Sequence, residues 1–195
     1  MTRDWLAHRR SELAAEAILD AAAELFTQHT VDSVGMNDIA RAAGCSRPTL
    51  YRYFENRHAL LLAFVHRETH RIAALIGERT ARAPDPHERL TIAITTAVES
   101  VRATPTVAAW FELGDGTLAA ELAQTSSVIS TFGKAFLADS AGDRLDLKVQ
   151  WAIRAVISLL TVPAGTPEME RDLITQFLVP ALLAPAGAPA AGCDR

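Results

Sequence analysis

Four side chains that donate hydrogen bonds lie within the stretch from residue 47 to residue 52. Arg47, Thr49, Tyr51 and Arg52 are interrupted by the apolar Leu50, and at helical spacing the four donors share an outward face while Leu50 points inward. Arginine can donate two hydrogen bonds to a guanine edge, threonine offers a hydroxyl and a methyl group, and tyrosine can donate to a phosphate. These residue types in this order predict contacts with the bases and phosphates of nucleic acid.

Two short helices joined by a turn are the elements expected to position these donors. Asn37 is a suitable N-cap for the first helix, and Gly44 supplies the backbone freedom needed to end it. Ser46 is a suitable N-cap for the second helix, and Pro48 falls in its first turn, where a missing N–H costs nothing. Two short helices joined by a three-residue turn with glycine are typical of a helix-turn-helix, whose second helix lies in the major groove of DNA.

A long helix is predicted to follow the donors, from about Arg57 to Arg82. A cation in the first turn of a helix is unfavourable with respect to the helix dipole. The position of Arg57 is better explained if a phosphate lies at the same helix N-terminus. We therefore expect Arg57 to contact the DNA backbone.

The charge of the chain disfavours a protein that coats nucleic acid non-specifically. Its 195 residues include 19 Lys and Arg against 23 Asp and Glu, a net charge of −4, whereas non-specific binding depends on many cations. Between Arg41 and His58, however, four arginines face a single acid, Glu55. Anion binding is therefore expected in one small patch.

Composition and periodicity predict an all-α globular protein. The chain is 49% hydrophobic and 22% charged, which excludes a disordered or collagenous chain as a whole. Apolar residues recur at helical spacing, and alternating period-two runs are nearly absent. Two cysteines, no apolar leader in residues 1–10 and no apolar run of about 18 residues predict a cytoplasmic protein without a disulfide framework and without a membrane span.

Three regions are expected along the chain. Residues 1–56 are predicted to form a three-helix helix-turn-helix DNA-binding domain with a basic N-terminal arm, residues 57–184 a helical bundle, and residues 185–195 a disordered tail of Ala, Pro and Gly. Within the bundle, one continuous helix is predicted over residues 117–138, and Pro180 is expected to kink or shorten the last helix.

Several short motifs occur in a fixed order within this DNA-binding segment. They are Asp38-Ile39-Ala40, Ala43-Gly44-Cys45-Ser46, Thr49-Leu50-Tyr51-Arg52-Tyr53-Phe54, and then Arg57 and Leu60. In order and spacing they resemble the DNA-binding region of the TetR family of transcriptional regulators, over roughly residues 17–62. The resemblance implies a sequence-specific DNA-binding regulator, most simply a homodimeric repressor that is not an enzyme, has no cofactor, and releases a palindromic double-stranded DNA operator on binding a small apolar effector.

The resemblance also assigns residues to the DNA contact. Groove-facing and phosphate-holding positions, with the helix caps beside them, are Asn37, Ser46, Arg47, Pro48, Thr49, Tyr51, Arg52, Tyr53 and Arg57. The first helix is predicted to begin after an N-cap at Ser11, which leaves a basic arm like those of some family members. The arm carries Arg3, His8, Arg9 and Arg10.

Two further roles are implied for the C-terminal bundle. The residues expected to line an effector pocket are Ile94, Val98, Val101, Trp110, Phe111, Phe132 and Trp151. The residues expected at the homodimer interface are Ala155, Ser158, Leu159, Leu173, Phe177, Leu178 and Ala181.

Some alternatives stay open at this point. Cys45 is either a small buried turn residue or a redox-active thiol, and the histidines at positions 66 and 70 are more simply solvated than ligands, so no metal is expected. For the whole chain, the rival is a helical-bundle small-molecule carrier or enzyme with no DNA role.

Overall fold

The computed structural model describes residues 4–112, 116–138 and 144–184, and no strand occurs in these ranges. The predicted all-α class is confirmed, whereas the predicted tail at residues 185–195 lies outside the described residues. The helices are α1 (Asp4–Gln28), α2 (Met36–Ala42), α3 (Arg47–Tyr53), α4 (Arg57–Thr80), α5 (Pro86–Ala103), α6 (Pro105–Glu112), α7 (Gly116–Thr125), α8 (Ser127–Leu137), α9 (Leu145–Thr161), α10 (Pro167–Asp172) and α11 (Val179–Leu183). A 3-10 turn spans Val31–Ser33, and a π-helical segment spans Leu173–Leu178.

The chain forms two compact units. Of the described residues, the first unit contains 4–68, 104–112 and 116–122, and the second contains 69–103, 123–138 and 144–184. This division differs from the predicted boundary after residue 56, because the first half of α4 and the later helices α6 and α7 contribute to the interior of the first unit. Leu60, Phe64, Trp110 and Leu122 are all buried in that interior.

An aromatic cluster lies at the centre of the first unit. Trp110 stacks on Phe64 with ring centroids 5.4 Å apart, and Phe26 meets both rings edge-on. Offset stacking and edge-to-face contacts are the favourable arrangements for aromatic rings. The cluster joins α1, α4 and α6, so it fixes the helices behind the helix-turn-helix.

Helix α1 begins earlier than the sequence predicts. It starts at Asp4, so Ser11 lies inside the helix and does not cap it. The segment between them contains good helix formers, and an acid in the first turn is favourable for the helix dipole. Part of the predicted arm is therefore helical, while Arg3 lies outside the described residues.

The helix predicted over residues 117–138 is two helices. The break falls at Ser126, which is 1% exposed and whose Oγ accepts a hydrogen bond from the N–H of Ile129 at 3.2 Å. A serine hydroxyl that satisfies a backbone donor at a helix N-terminus competes with the continuous helix. Ser126 therefore separates α7 from α8.

Pro180 does not shorten the last helix, which continues to Leu183, so that part of the prediction was wrong. It lies in the first turn of α11, directly after the π-helical segment Leu173–Leu178. Proline has no N–H to donate and its ring clashes with the carbonyl four residues earlier. The wider π turn relieves this conflict and lets the helix continue to Leu183.

Arg102 connects three helices of the second unit. Its guanidinium, on α5, forms a bidentate pair with the carboxylate of Glu170 on α10, at 2.8 and 2.7 Å. It also donates to the carbonyl of Leu159 on α9 at 2.8 Å. The hydrogen bond to Glu170 outweighs desolvation, so the pKa of Arg102 is raised above its ordinary value.

Candidate nucleic-acid interface

The turn between α2 and α3 has the hydrogen bonds of a Schellman cap. The N–H of Cys45 donates to the carbonyl of Ala40 at 3.0 Å, and the N–H of Gly44 donates to that of Arg41 at 3.2 Å. Gly44 has φ +63°, a conformation that glycine adopts without the steric penalty of a Cβ. The prediction that Gly44 ends the first short helix is confirmed.

Helix α3 is capped and seated as the sequence predicts. The Oγ of Ser46 accepts a hydrogen bond from the N–H of Thr49 at 3.3 Å, and Pro48 lies in the first turn. Leu50 is completely buried in the interior of the first unit, and Phe54 is nearly so. Burial of these two side chains fixes the rotation of α3 about its axis.

The opposite side of α3 carries exposed cations and a phenol. Arg47, Tyr51 and Arg52 are exposed. The guanidinium of Arg47 lies 5.9 Å from the ring centre of Tyr51, and that of Arg52 lies 5.2 Å from the ring centre of Tyr53. Cation–π contacts of this kind orient the cations on the surface.

Arg52 keeps donors available for a partner. Its Nη2 donates to the hydroxyl of Tyr53 at 3.3 Å, and a guanidinium has five N–H donors in all. Thr49 and Tyr53 are half-buried, and the Oγ1 of Thr49 lies 2.8 Å from the Oγ of Ser46. Of the four predicted donors, Arg47, Tyr51 and Arg52 are therefore exposed, and Thr49 is partly covered.

The N-cap of α2 is Gly35, so the prediction that Asn37 caps this helix was wrong. Asp38 explains the earlier start, because its carboxylate accepts a hydrogen bond from the N–H of Gly35 at 3.1 Å. The earlier start also includes Met36, which is buried, in the helix. Asn37 is exposed in the first turn, and its contact with DNA stays a prediction.

Arg57 has partners within the protein. Its Nε donates to the carbonyl of Val34 at 3.1 Å, and its Nη2 donates to the carbonyl of Val31. Asp32 is a further partner at 3.6 Å. These contacts join the start of α4 to the 3-10 turn and account for a cation at this position without a phosphate, so its DNA contact stays a prediction.

Comparisons with known proteins identify the family. The family model described as bacterial regulatory proteins, tetR family, matches residues 18–64. Over 190 residues the chain is 46% identical to an uncharacterized HTH-type transcriptional regulator of Mycobacterium tuberculosis, and the match covers 96% of this chain and 94% of that protein. The chain belongs to the TetR family of transcriptional regulators.

Two solved structures, one of them described as a TetR family repressor, share the fold. The repressor AlkX from Dietzia sp. strain DQ12-45-1b has a TM-score of 0.61 at 23% identity, with 86% of this chain and 94% of that chain covered. RolR, solved in complex with resorcinol, has a TM-score of 0.68 at 18% identity, with 90% of this chain and 88% of that chain covered. The resemblance inferred from the helix-turn-helix motifs is thus confirmed for the family and for the fold.

The residues predicted to line an effector pocket do not form one group in this TetR-family chain. Trp110 and Phe111 belong to the first unit, where Trp110 is part of the aromatic cluster. Ile94 and Val98 are buried in the second unit and Val101 is half-buried there. The two remaining residues differ from each other, since Phe132 lines a cavity and Trp151 is 53% exposed.

That cavity lies between α4 and α8 and has a volume of about 380 Å³. Its lining consists of Thr69, His70, Ala73, Ser127, Val128, Thr131, Phe132 and Ala135. Sequence reasoning missed seven of these eight positions. The available signal was the helical spacing of residues 127, 128, 131, 132 and 135 on α8, which share one helical face.

The residues predicted for the dimer interface divide by exposure. Ser158, Leu173, Phe177 and Ala181 are exposed, and Ala155 is half-buried. The other two, Leu159 and Leu178, are buried within their own unit and are not available to a partner.

An ion-pair cluster centred on a buried arginine in the first unit also escaped the sequence analysis. The Arg67 side chain is 9% exposed and contacts Asp20 at 2.7 Å, Glu68 at 3.0 Å and Glu16 at 3.2 Å. Desolvation lowers its pKa, but hydrogen bonds to Glu16 and Glu68 outweigh it, so the pKa is raised. Because the pKa of Arg67 is raised, the ion pairs contribute to the free energy of unfolding at neutral pH. This contribution is lost only at strongly alkaline pH.

Three smaller predictions concern Cys45, a metal site and a membrane span. Cys45 is half-buried and packs against the interior of the first unit. Within the residues described, no group of three or more His, Cys, Asp or Glu side chains is arranged to hold a metal. Across those same ranges, none of the helices has the length and apolar character that a membrane span requires.

Proposed function

We propose that the chain is a cytoplasmic, ligand-responsive homodimeric repressor. Each protomer inserts α3 into one major groove of a palindromic operator, and binding of a small, largely apolar molecule to the second unit releases the DNA. The two recognition helices then lie about one helical turn of DNA apart, roughly 34–36 Å.

The observation that carries this proposal is the two-sided character of α3. Leu50 is completely buried, while Arg47, Tyr51 and Arg52 are exposed on the opposite side. In the proposed complex the arginines donate to base edges, the threonine and proline of the first turn make close groove contacts, and the tyrosines donate to phosphates. All of these side chains lie on one short helix, which suits the width of the major groove.

Exposed apolar stripes in the second unit support a homodimer. On α9, Leu147 and Trp151 are 65% and 53% exposed, and Val162, which directly follows the helix, is 73% exposed. In the last helical segments, Leu173 and Phe177 are 42% and 67% exposed. Large apolar side chains exposed in rows mark interaction surfaces in soluble proteins, and a second copy of the chain is the partner that a two-fold operator requires.

Ligand control follows from linkage between two binding sites. If the effector binds more tightly to a conformation in which the two α3 helices have the wrong separation, DNA affinity falls by the same factor, typically about 1–3 kcal/mol. A small-molecule effector is supported by the cavity in the second unit and by the resorcinol complex of RolR, which has the same fold.

A gel-shift titration with the DNA that flanks the gene tests this function. We expect retardation that weakens steeply as salt rises and that is lost in the double variant Arg47→Ala/Arg52→Ala. Arg79→Ala is the matched control, because Arg79 is an exposed arginine of the second unit. Equal retardation of scrambled DNA, or none at all, would contradict a regulator and favour the carrier or enzyme.

A further inference from the structure

We infer that Arg102 is a positioning residue for self-association, because it fixes the apolar stripes of the second unit in the arrangement that a second copy of the chain recognises. One stripe lies on α9 and directly after it, and the other lies on the last helical segments. This inference rests on the homodimer of the proposed function. It adds a residue that the sequence did not place at the interface.

The two stripes lie on helices that depend on α5 for their relative position. Helix α9 packs on α5, and so do the π-helical segment and α11. Within the described residues, these contacts with α5 are more extensive than any contact between α9 and the last helical segments. Each stripe therefore has a firm support on α5, but a further contact is needed to fix one stripe relative to the other.

Arg102 supplies this further contact from the last turn of α5. Its guanidinium forms the bidentate pair with Glu170 of α10, at 2.8 and 2.7 Å, and donates to the carbonyl of Leu159 of α9 at 2.8 Å. The planar fork of a guanidinium fixes the direction of a contact as well as its distance. These hydrogen bonds therefore hold the end of α9 and the start of α10 in one arrangement.

The hydrogen bonds of Arg102 lie directly beside exposed apolar side chains. Val162 follows Leu159 by three residues and is 73% exposed, and Met169 precedes Glu170 and is 54% exposed. The side chain of Glu170 is only 16% exposed, so α10 turns this carboxylate toward Arg102 and Met169 toward solvent. A displacement of Leu159 or Glu170 would therefore displace the apolar surface as well.

The exposure of Arg102 indicates an effect on association more than on folding. Its side chain is 38% exposed, and solvent screens an ion pair at such a position, which limits its contribution to the free energy of unfolding. A surface that is fixed before binding avoids the cost of being ordered during binding. Loss of Arg102 is therefore expected to raise the dissociation constant of the dimer.

Sedimentation of the full-length protein without DNA measures this Kd. Arg102→Met and Glu170→Met are each expected to raise it about tenfold or more. Arg79→Met is the matched control, because Arg79 forms an arginine–glutamate pair of the same unit, with Glu99 of α5 at 3.2 Å, away from α9 and α10. An unchanged Kd in both test variants, or an equal rise in the control, would overturn the inference.

The double variant distinguishes positioning from direct contact with the partner. If the two side chains act through their mutual hydrogen bonds, Arg102→Met/Glu170→Met should raise the Kd no further than Arg102→Met alone. Losses that multiply in the double variant would show that each side chain contacts the second copy by itself, which would overturn the positioning role.

Arg102→Lys is the second variant, for the case in which Arg102→Met does not fold. Lysine keeps the charge but lacks the planar fork, so this variant should show a cooperative thermal transition and still raise the Kd. A purely structural arginine would lower the midpoint of that transition and leave the Kd of the folded protein unchanged. That result would overturn the inference.

These measurements separate the inference from the proposed function. A dimer whose Kd does not depend on Arg102 counts against the inference alone. A wild-type protein that is monomeric at micromolar concentration counts against the proposed homodimer and the inference together. A dimer that depends on Arg102 but does not retard DNA counts against the repressor alone.

Discussion

Two arginines of the helix-turn-helix region have different surroundings in spite of similar positions near helix ends. Arg52 is exposed on α3 and stacks on Tyr53, whereas Arg57 donates to the carbonyls of Val31 and Val34. An exposed guanidinium can exchange water for a base edge, while one bonded to backbone carbonyls already has strong partners. Their substitutions should therefore have separable effects.

Replacement of Arg52 is expected to change DNA recognition and to leave stability nearly unchanged. If Arg52 reads a guanine, Arg52→Ala should weaken operator binding by about 1–3 kcal/mol and relax specificity at one base position. Fluorescence anisotropy with a set of single-base operator variants measures both effects. The same loss of affinity for every operator variant would instead assign Arg52 to a phosphate.

Replacement of Arg57 is expected to destabilise the first unit. Arg57→Ala removes the donor to the carbonyl of Val34 and leaves the carbonyl of Val31 with the N–H of Val34 as its remaining donor, at a cost of about 1–3 kcal/mol in the free energy of unfolding. Urea unfolding measures this change. Arg41→Ala serves as the control, because Arg41 forms an exposed pair with Asp38 at 3.5 Å, and exposed pairs contribute about 0–1 kcal/mol. Unchanged stability in Arg57→Ala would contradict a structural role for these two hydrogen bonds.

At the scale of the helices, the parts predicted well are those with local signals. Ser46 and Gly44 act through hydrogen bonds and dihedral angles within a few residues, so the sequence alone places them. The break at Ser126 depends on a buried hydroxyl, and the unit boundary depends on Trp110 packing against α1 and α4. Burial and long-range packing are tertiary properties, which a single sequence does not display.

The contact between α8 and α9 is one such tertiary feature, and it can be tested. A Cβ added at Gly133 would lie 2.9 Å from Cγ1 of Val149, and Val149 is 2% exposed. Gly133→Ala is therefore expected to overpack the second unit and to lower its stability by about 1–3 kcal/mol, as thermal unfolding would show.

A second substitution distinguishes crowding from other effects of the Gly133→Ala change. Val149→Ala removes the two methyl groups that the added Cβ would approach, so the double variant should be less destabilised than the sum of the two single variants. Additive losses would show that the close approach at Gly133 is not the cause.

For the whole molecule, the exposed apolar stripes should determine the oligomeric state. Phe177→Glu places a charge on a side chain that is 67% exposed in one protomer and that the proposed dimer buries. Light scattering after size exclusion should show a shift from dimer toward monomer, because an unpaired charge is costly in a desolvated interface.

Leu13→Glu provides the comparison for this shift. Leu13 is 68% exposed on α1 of the first unit and is not part of the stripes, so this variant should remain dimeric. A wild-type protein that is already monomeric at micromolar concentration, or a dimer that both variants preserve, would refute the assignment of these stripes.

Selection from a random pool of duplex DNA tests the central claim most directly, since it requires both an outward reading face on α3 and a symmetric pair of such faces. The account predicts enrichment of a sequence with dyad symmetry, whose half-sites lie about 10 base pairs apart or a multiple of that spacing, and no enrichment with Arg47→Ala/Arg52→Ala. Enrichment of a single asymmetric site, or of the same sequence by that double variant, would contradict it.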